Sequence, residues 1–328
     1  MKLIAETAWH HEGDFDFMKN LITNISTNSK ADIIKMHITL NFDEYMHKNH
    51  GSYRSLKSKL FNKFQWRKLI NVARDNKKEL MLLLNDRDAI NFGISFNPEY
   101  IEIHSVCLND VFLIKELKKK ISKNTKIVLG VGGSNISEIK EAINYLDAKN
   151  IILMFGFQNY PTIYEDINLL KIKRVMRMFK NFEFGYADHT SWDNENNELI
   201  TVIGASSGVS YVEKHVTTNY GEERIDWSSA ISIEMFNKLK DKLDILIKLN
   251  GNGLLNMNAA EKKYSTYGPM KKAAVLKKNL SNGSKLKLDD IKFIRTGEIS
   301  DMSQLDIIKF IGNRINDNLE KDTVLKFN

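Results

Sequence analysis

The chain of 328 residues has one cysteine, three prolines and no long uninterrupted apolar run. The single cysteine, Cys107, excludes a disulfide framework and fits a reducing compartment. No apolar stretch approaches the roughly 18 residues that a membrane-spanning helix needs, and the first residues enter a strand pattern without a signal peptide. A cytoplasmic location without a membrane partner is therefore expected.

A glycine-rich phosphate turn is also missing after the first predicted strand. Residues 8–13 read AWHHEG and do not match the dinucleotide-binding fingerprint, which disfavours an open doubly wound sheet. Lysine and arginine together (48) outnumber aspartate and glutamate (41), which gives a net charge of +7. Because the lysines are dispersed along helical faces and are not gathered with aromatic residues, a nucleic-acid partner is not expected.

The first 250 residues instead alternate short β-branched runs with amphipathic stretches. Helical patterns separate most of the runs, and residues 135–146 open with Asn135 as a helix N-cap and Glu138 three positions later. Strand followed by helix, eight times over, predicts a closed (β/α)8 TIM barrel over residues 1–250. The predicted strands are residues 3–8, 33–39, 80–84, 100–105, 126–131, 151–157, 182–188 and 210–217.

Two segments depart from this alternation. The long connection at residues 40–62 is rich in aromatic residues, histidine and lysine, which is typical of a lid or substrate clamp. Residues 251–270 are rich in glycine and asparagine and are predicted to form a linker. Residues 271–328 are then predicted to form a small, mostly β module with short strands at 274–277, 292–294 and 324–327 and a helix at 304–311.

The histidines lie where a parallel barrel binds its ligands. Six of the eight fall at or just past predicted strand ends, and the loops that follow parallel strands converge on one face. His189 and His215 end neighbouring strands, so two imidazoles suited to one divalent cation are expected there. The other four are His10, His11, His37 and His104.

Successive strand-end motifs resemble those of the N-acetylneuraminate (sialic acid) synthase family. They are IAETAWHHEGD at residues 4–14, ADIIK at 31–35, NYPT at 159–162, GYADHT at 185–190 and EKHVT at 213–217. The last segment, with KKAAVL at 271–276 and RTGEI at 295–299, resembles the antifreeze-protein-like (SAF) domain of that family. The resemblance covers essentially the whole chain in the same order.

This resemblance implies an enzyme that condenses phosphoenolpyruvate with the aldehyde of an N-acylated hexosamine, giving a nonulosonic acid for surface glycans. It implies Mn²⁺ or Mg²⁺ held by His189 and His215, and a homodimer in which the small domain of one subunit covers the site of the other. The catalytic candidates are Glu6, Lys35, Glu102 and His104, and the substrate-binding candidates are His37, Ser105, Gln158, Tyr160, Asp226 and Lys272.

Five positions depart from the family pattern. Four of the changes remove groups expected to contact phosphoenolpyruvate, and a glutamate replaces a lysine on the fourth strand. The residues present are Leu83, Glu102, Cys107, Gly130 and Ala187. The phosphate could instead lie on Lys35, Arg87, Lys214 or Lys272 of a partner subunit.

New acid/base residues accompany these losses. Glu102 and His104 share one face of their predicted strand because side chains alternate. Either residue could join the metal shell or act as a general base. Two other functions therefore stay open: a metal-dependent sugar lyase or epimerase that does not use phosphoenolpyruvate, and a non-catalytic sugar-binding paralogue.

Overall fold

The computed structural model describes residues 1–156 and 159–327. The chain divides into two compact units, Met1–Gly251 and the segment that begins at Asn252. Within the described ranges, no helix combines the length and the apolar character that a membrane crossing requires. The cytoplasmic location stays a prediction.

The first unit is a closed barrel of eight parallel strands. Each strand pairs with the next in the chain, and β1 also pairs with β8, so the sheet closes on itself. The predicted TIM barrel is confirmed, with strand ends shifted by one or two residues. The strands are β1 Lys2–Glu6, β2 Ile33–Ile38, β3 Glu79–Leu84, β4 Tyr100–Ile103, β5 Lys126–Gly130, β6 Ile151–Phe155, β7 Glu183–Asp188 and β8 Tyr211–Thr217. A short β9, Ile231–Ser232, pairs in parallel with the end of β8.

Helices connect the strands around the outside of the barrel. The predicted N-cap of the helix after β5 is confirmed, because the Asn135 side chain accepts from backbone N–H groups and the Glu138 side chain accepts from the Asn135 N–H. The helices are α1 Phe15–Asn28, α2 Phe42–Tyr45, α3 Tyr53–Lys57, α4 Lys63–Asp75, α5 Arg87–Gly93, α6 Val111–Lys120, α7 Ile136–Leu146, α8 Tyr164–Ile167, α9 Leu169–Met178, α10 Asn197–Ala205 and α11 Ile233–Asn250.

Alternate side chains of the strands build two apolar layers. Outward residues such as Ile34, Leu82 and Val212 pack against the helices in the larger core. Inward residues fill the barrel below the site, so the barrel is a packed core and not a pore. The inward layer comprises Ile4, Ile33, Met81, Tyr100, Val128, Ile152, Met154, Ala187 and Tyr211. Above this layer the inward positions become polar.

The second unit has its own small core. After α12, Ala259–Tyr264, the strands β10, Ala273–Leu276, and β11, Ile291–Ile294, form an antiparallel pair, and α13 spans Gln304–Phe310. The predicted third strand at 324–327 is wrong: Val324 makes only an isolated bridge to Val275. The segment predicted to be a linker contains α12. The antifreeze-like character of this unit stays a prediction.

Candidate metal centre and active site

A cavity of about 330 Å³ opens at the carboxyl ends of the barrel strands. It is lined by the polar inward residues together with Trp9 and Tyr45 from the loops after β1 and β2. Its polar lining comprises Glu6, Lys35, His37, Glu102, His104, Ser105, Tyr160, His189, Glu213, His215 and Asp226. Nearly all the sequence-predicted site residues within the described ranges therefore meet in one cavity.

Glu6, His189 and His215 form a buried group that could hold a metal ion. One ligand atom from each lies within 4.8 Å of the others. The two imidazole rings are 4.7 Å apart, and His215 Nε2 lies 3.4 Å from Glu6 Oε2. Strand pairing explains this proximity, since Glu6 on β1 is the direct cross-strand partner of His215 on β8.

The protonation states suit cation binding. Burial would raise the pKa of Glu6, but the charges of Lys35 and His215 hold it well below its usual value, so Glu6 is a carboxylate. Burial lowers the pKa of His189 to about 3, which leaves a neutral imidazole. His215 Nδ1 is buried and has no hydrogen-bond partner among the residues that the structure describes. One carboxylate and two imidazoles are ordinary ligands of a divalent metal.

Lys35 lies at the centre of a cage of three carboxyl groups. Its Nζ is 2.8 Å from Glu102 Oε2, 2.9 Å from Glu213 Oε1 and 3.3 Å from Glu6 Oε2, and all four side chains are buried. The acids come from β4, β8 and β1 and surround the lysine on β2. Lys35 is the only lysine or arginine among the described residues that line the cavity.

The electrostatics of this cage differ from one acid to the next. Burial by itself would lower the pKa of Lys35, yet Glu102, Glu213 and Glu6 raise it well above its usual value, so the lysine stays charged. Burial raises the pKa of Glu102, and burial together with the charge of Glu6 raises the pKa of Glu213 well above normal. The positive charge of Lys35 is thus retained and is surrounded by carboxyl groups of the protein itself.

A second pair of histidines lies on the opposite side of Glu6. Trp9 Nε1 donates to His37 Nδ1 over 3.1 Å, so the neutral ring carries its proton on Nε2, which is 3.3 Å from Glu6 Oε1. Burial lowers the pKa of His37 and brings that of His104 to about 4. The rings of His37 and His104 are 5.6 Å apart. Both histidines are therefore uncharged near neutral pH.

Tyr160 and Asp226 complete the wall beside the metal group. The Tyr160 ring lies 6.0 Å from each of the rings of His189 and His215. Asp226 accepts from the backbone N–H of Trp9 over 3.0 Å, and burial raises the pKa of its carboxyl group. Both side chains line the cavity.

Comparison with known proteins places this site in a family. The model of the NeuB family matches residues 23–254, which is most of the chain. The chain belongs to the NeuB family. The match ends at residue 254, so nearly all of the second unit, which begins at Asn252, lies outside it.

One curated protein and two solved structures are similar to this chain over most of its length. The N,N'-diacetyllegionaminic acid synthase of Campylobacter jejuni is 25% identical over 348 residues, covering 99% of this chain and 98% of that protein. A Chromobacterium violaceum structure described as a spore coat polysaccharide biosynthesis protein E has a TM-score of 0.82 at 16% identity and covers 99% of this chain and 98% of its own. The N-acetylneuraminic acid synthetase of Leptospira borgpetersenii has a TM-score of 0.71 at 23% identity, covering 80% and 88%.

Several residues considered for the metal shell or the phosphate have other surroundings than the sequence predicts. Glu102 is outside the metal group and pairs with Lys35. Arg87 forms an ion pair with Glu44 and lines a different pocket. Lys214 is fully buried against Asp188 and does not line the cavity. Gln158 falls outside the described residues, and Lys272 belongs to the second unit.

Glu213 and Tyr45 line the cavity and are not among the site residues predicted from the sequence. Glu213 is part of the EKHVT motif and lies two positions before His215, so strand alternation alone places it on the same inward face. Tyr45 comes from α2 in the connection predicted to be a lid, and burial raises the pKa of its hydroxyl to about 12. The lid function itself stays a prediction.

His10 and His11 are packed beside the cavity and do not line it. His10 Nε2 lies 3.1 Å from the Asp226 carbonyl oxygen, and burial lowers its pKa to about 4. His11 stacks on Phe61 with ring centroids 4.3 Å apart, and its Nδ1 accepts from the Gly13 N–H. His11 is thus part of the packing of the β1 loop.

The burial of His11 predicts a specific pH dependence of stability. Burial lowers its folded-state pKa to about 3 from 6.5, so the unfolded chain binds the proton more readily and stability is lost as the pH falls below 6.5. At pH 5 this single group should cost about 2 kcal/mol relative to pH 7.5. The His11→Asn variant keeps an acceptor for the Gly13 N–H and cannot titrate. Its loss of stability between pH 7.5 and pH 5 should therefore be smaller than that of the wild type by this amount.

Denaturant unfolding at the two pH values, followed by tryptophan fluorescence, measures the difference. All four tryptophans lie in the barrel unit, so the signal reports on that unit. The other buried histidines contribute equally to both proteins and cancel. Parallel loss of stability in the two proteins would contradict a neutral, buried His11.

Proposed function

We propose that this chain is a metal-dependent nonulosonic acid synthase. It joins phosphoenolpyruvate to the aldehyde of an N-acylated hexosamine or a related sugar, as part of surface glycan biosynthesis. The observation that carries the proposal is the buried group of Glu6, His189 and His215 at the mouth of a NeuB-family barrel. The Campylobacter relative, whose name is that of such a synthase, supports it.

The metal would be held by Glu6, His189 and His215. The mixed carboxylate and imidazole set suits Mn²⁺ better than Mg²⁺, because Mg²⁺ prefers oxygen ligands alone. When bound, a divalent cation supplies Lewis-acid polarisation of the sugar carbonyl. The unpartnered Nδ1 of His215 is consistent with a site that an ion completes.

The protein's own groups would bind and orient the substrates. Asp226 and Tyr160 lie beside the metal group, where they can bind sugar hydroxyl groups. The His37 Nε2–H can donate to a substrate oxygen next to Glu6. Glu102, beside Lys35, or His104, beside His37, would act as the general base that removes a proton from the attacking water. Ser105 can donate to the carboxylate of phosphoenolpyruvate.

Assembly is proposed on the family pattern. A homodimer would place Lys272 and the second unit of one subunit over the barrel of the other. Such an arrangement would supply the positive charge that the cavity of one chain lacks. Lys35 cannot supply it, since three carboxyl groups already surround its ammonium.

The test is phosphate release from phosphoenolpyruvate in the presence of Mn²⁺ and an N-acylmannosamine-type sugar. Release should require the sugar, the enol donor and the metal together. Glu6→Gln should abolish it, whereas Glu79→Gln, at the opposite end of the barrel and paired with Lys2, should retain it. Metal-independent release, or equal rates in both variants, would exclude the proposed site.

One observation favours a second candidate, a sugar lyase or epimerase that uses the metal without phosphoenolpyruvate. The described cavity lining contains four carboxyl groups and one lysine, a poor setting for a phosphate dianion. Under this alternative Mn²⁺ binds but no phosphate is released with any sugar. A chain that binds sugar and no metal would instead be the non-catalytic paralogue.

A further inference from the structure

We infer that the buried ion pair of Asp188 and Lys214 positions the two metal-binding imidazoles. Asp188 directly precedes His189 on β7, and Lys214 directly precedes His215 on β8. The inference rests on the metal site of the proposed function. It makes Asp188 and Lys214 positioning residues, which act through the histidines and do not touch the ion.

The pair is built into the strand register. Asp188 and Lys214 are direct cross-strand partners, and Lys214 Nζ lies 2.5 Å from Asp188 Oδ2 with both side chains buried. Because side chains alternate along a strand, the pair points out of the barrel and the histidines point in. A slip of one residue between β7 and β8 would break the ion pair and separate the imidazoles together.

Further contacts hold Asp188 in place. Its Oδ1 accepts from the backbone N–H and the hydroxyl of Thr190, and its Oδ2 accepts from the hydroxyl of Thr201 on α10. The carbonyl oxygen of His189 in turn accepts from the Thr162 N–H over 2.8 Å. The backbone around His189 is therefore fixed from the outer helix layer and from the loop after β6.

The outward-facing residues of β7 and β8 are charged at one level of the barrel only. Phe184, Tyr186, Val212 and Val216 also point outward, and all four are buried and apolar. The outward face becomes charged only at the level of the two histidines. A buried ion pair stabilises a fold no better than apolar residues of the same size, and fixing register is its best-supported role. The position of this pair fits that role.

Mn²⁺ affinity tests the inference. Asp188→Asn, Lys214→Met and the double variant should each bind Mn²⁺ about 10- to 100-fold more weakly than the wild type by isothermal titration calorimetry, the range typical of residues that orient metal ligands. Thr201→Val removes the hydroxyl that binds Asp188 and the Asn197 carbonyl oxygen but removes no charge, and it should give a smaller loss. The matched control is Glu183→Gln at the opposite end of β7, where Glu183 pairs with Lys126; its Mn²⁺ affinity should be unchanged.

The double variant separates positioning from stability. It leaves no unpaired buried charge, so its thermal midpoint without metal should stay close to that of the wild type while its Mn²⁺ affinity stays low. Full Mn²⁺ affinity in a folded double variant or in Thr201→Val would overturn the inference and leave the proposed function standing. No Mn²⁺ binding by the wild type would overturn both the proposed metal site and the inference.

Discussion

Replacing His215 or His189 by alanine should lower Mn²⁺ affinity by on the order of 100-fold or more. Each substitution removes one of the three donors that lie within 4.8 Å of one another, and even the partners that only orient ligands cost 10- to 100-fold. The remaining imidazole and Glu6 cannot enclose an ion. Phosphate release from phosphoenolpyruvate with Mn²⁺ and the sugar should fall to background in both variants.

Calorimetric titration of each variant with Mn²⁺ provides the measurement. His50→Ala is the matched control, because His50 is an exposed histidine in the loop after β2 and should leave the affinity unchanged. Near wild-type Mn²⁺ affinity in His189→Ala or His215→Ala would show that the metal does not bind at this position. The second candidate function would be lost with it, since it uses the same three donors.

Replacing Glu102 by glutamine should strengthen binding of phosphoenolpyruvate by about 10- to 100-fold. The wild-type carboxyl group lies 2.8 Å from Lys35 Nζ and competes with any substrate anion for that ammonium. Glutamine removes this negative charge and frees a charged donor, and a hydrogen bond to a charged group is worth about 1.5–3 kcal/mol. Lys35 should keep its position after this substitution, because its ion pairs with Glu6 and Glu213 remain.

The affinity for phosphoenolpyruvate, measured in saturating Mn²⁺ for Glu102→Gln against wild type, decides this prediction. Glu99→Gln is the matched control: Glu99 precedes the same strand, forms an ion pair with Arg74 and does not line the cavity. Unchanged affinity in Glu102→Gln would show that no substrate anion reaches Lys35. That result would favour the metal-dependent chemistry that does not use phosphoenolpyruvate.

The carboxyl cage limits the binding of a substrate anion by Lys35. Lys35 on β2 is predicted from the sequence as a catalytic residue and as a possible ligand of the phosphate, but its charge is already balanced by buried acids. Glu102 therefore replaces a cation and also neutralises the remaining one. The two effects add, which is why a single substitution at residue 102 is expected to change anion binding so strongly.

The sequence by itself determined the barrel and most of the residues that line its mouth. The repeat of strand and helix required a parallel sheet with helices outside, and strand ends in such a sheet share one face. His189, His215 and His37 could be placed from that rule without any distance, and Tyr160 from the family resemblance. The N-cap at Asn135 followed from local hydrogen bonding alone.

Tertiary structure decided how those residues are grouped. Glu6 joins the two histidines because closure of the barrel pairs β1 with β8, and Glu102 joins Lys35 instead of the metal group. The acids of the cage come from strands far apart in the chain, and their mutual distances depend on barrel register, which no local pattern encodes. Sequence pattern fixes which face a side chain occupies, whereas closure and register fix its neighbours.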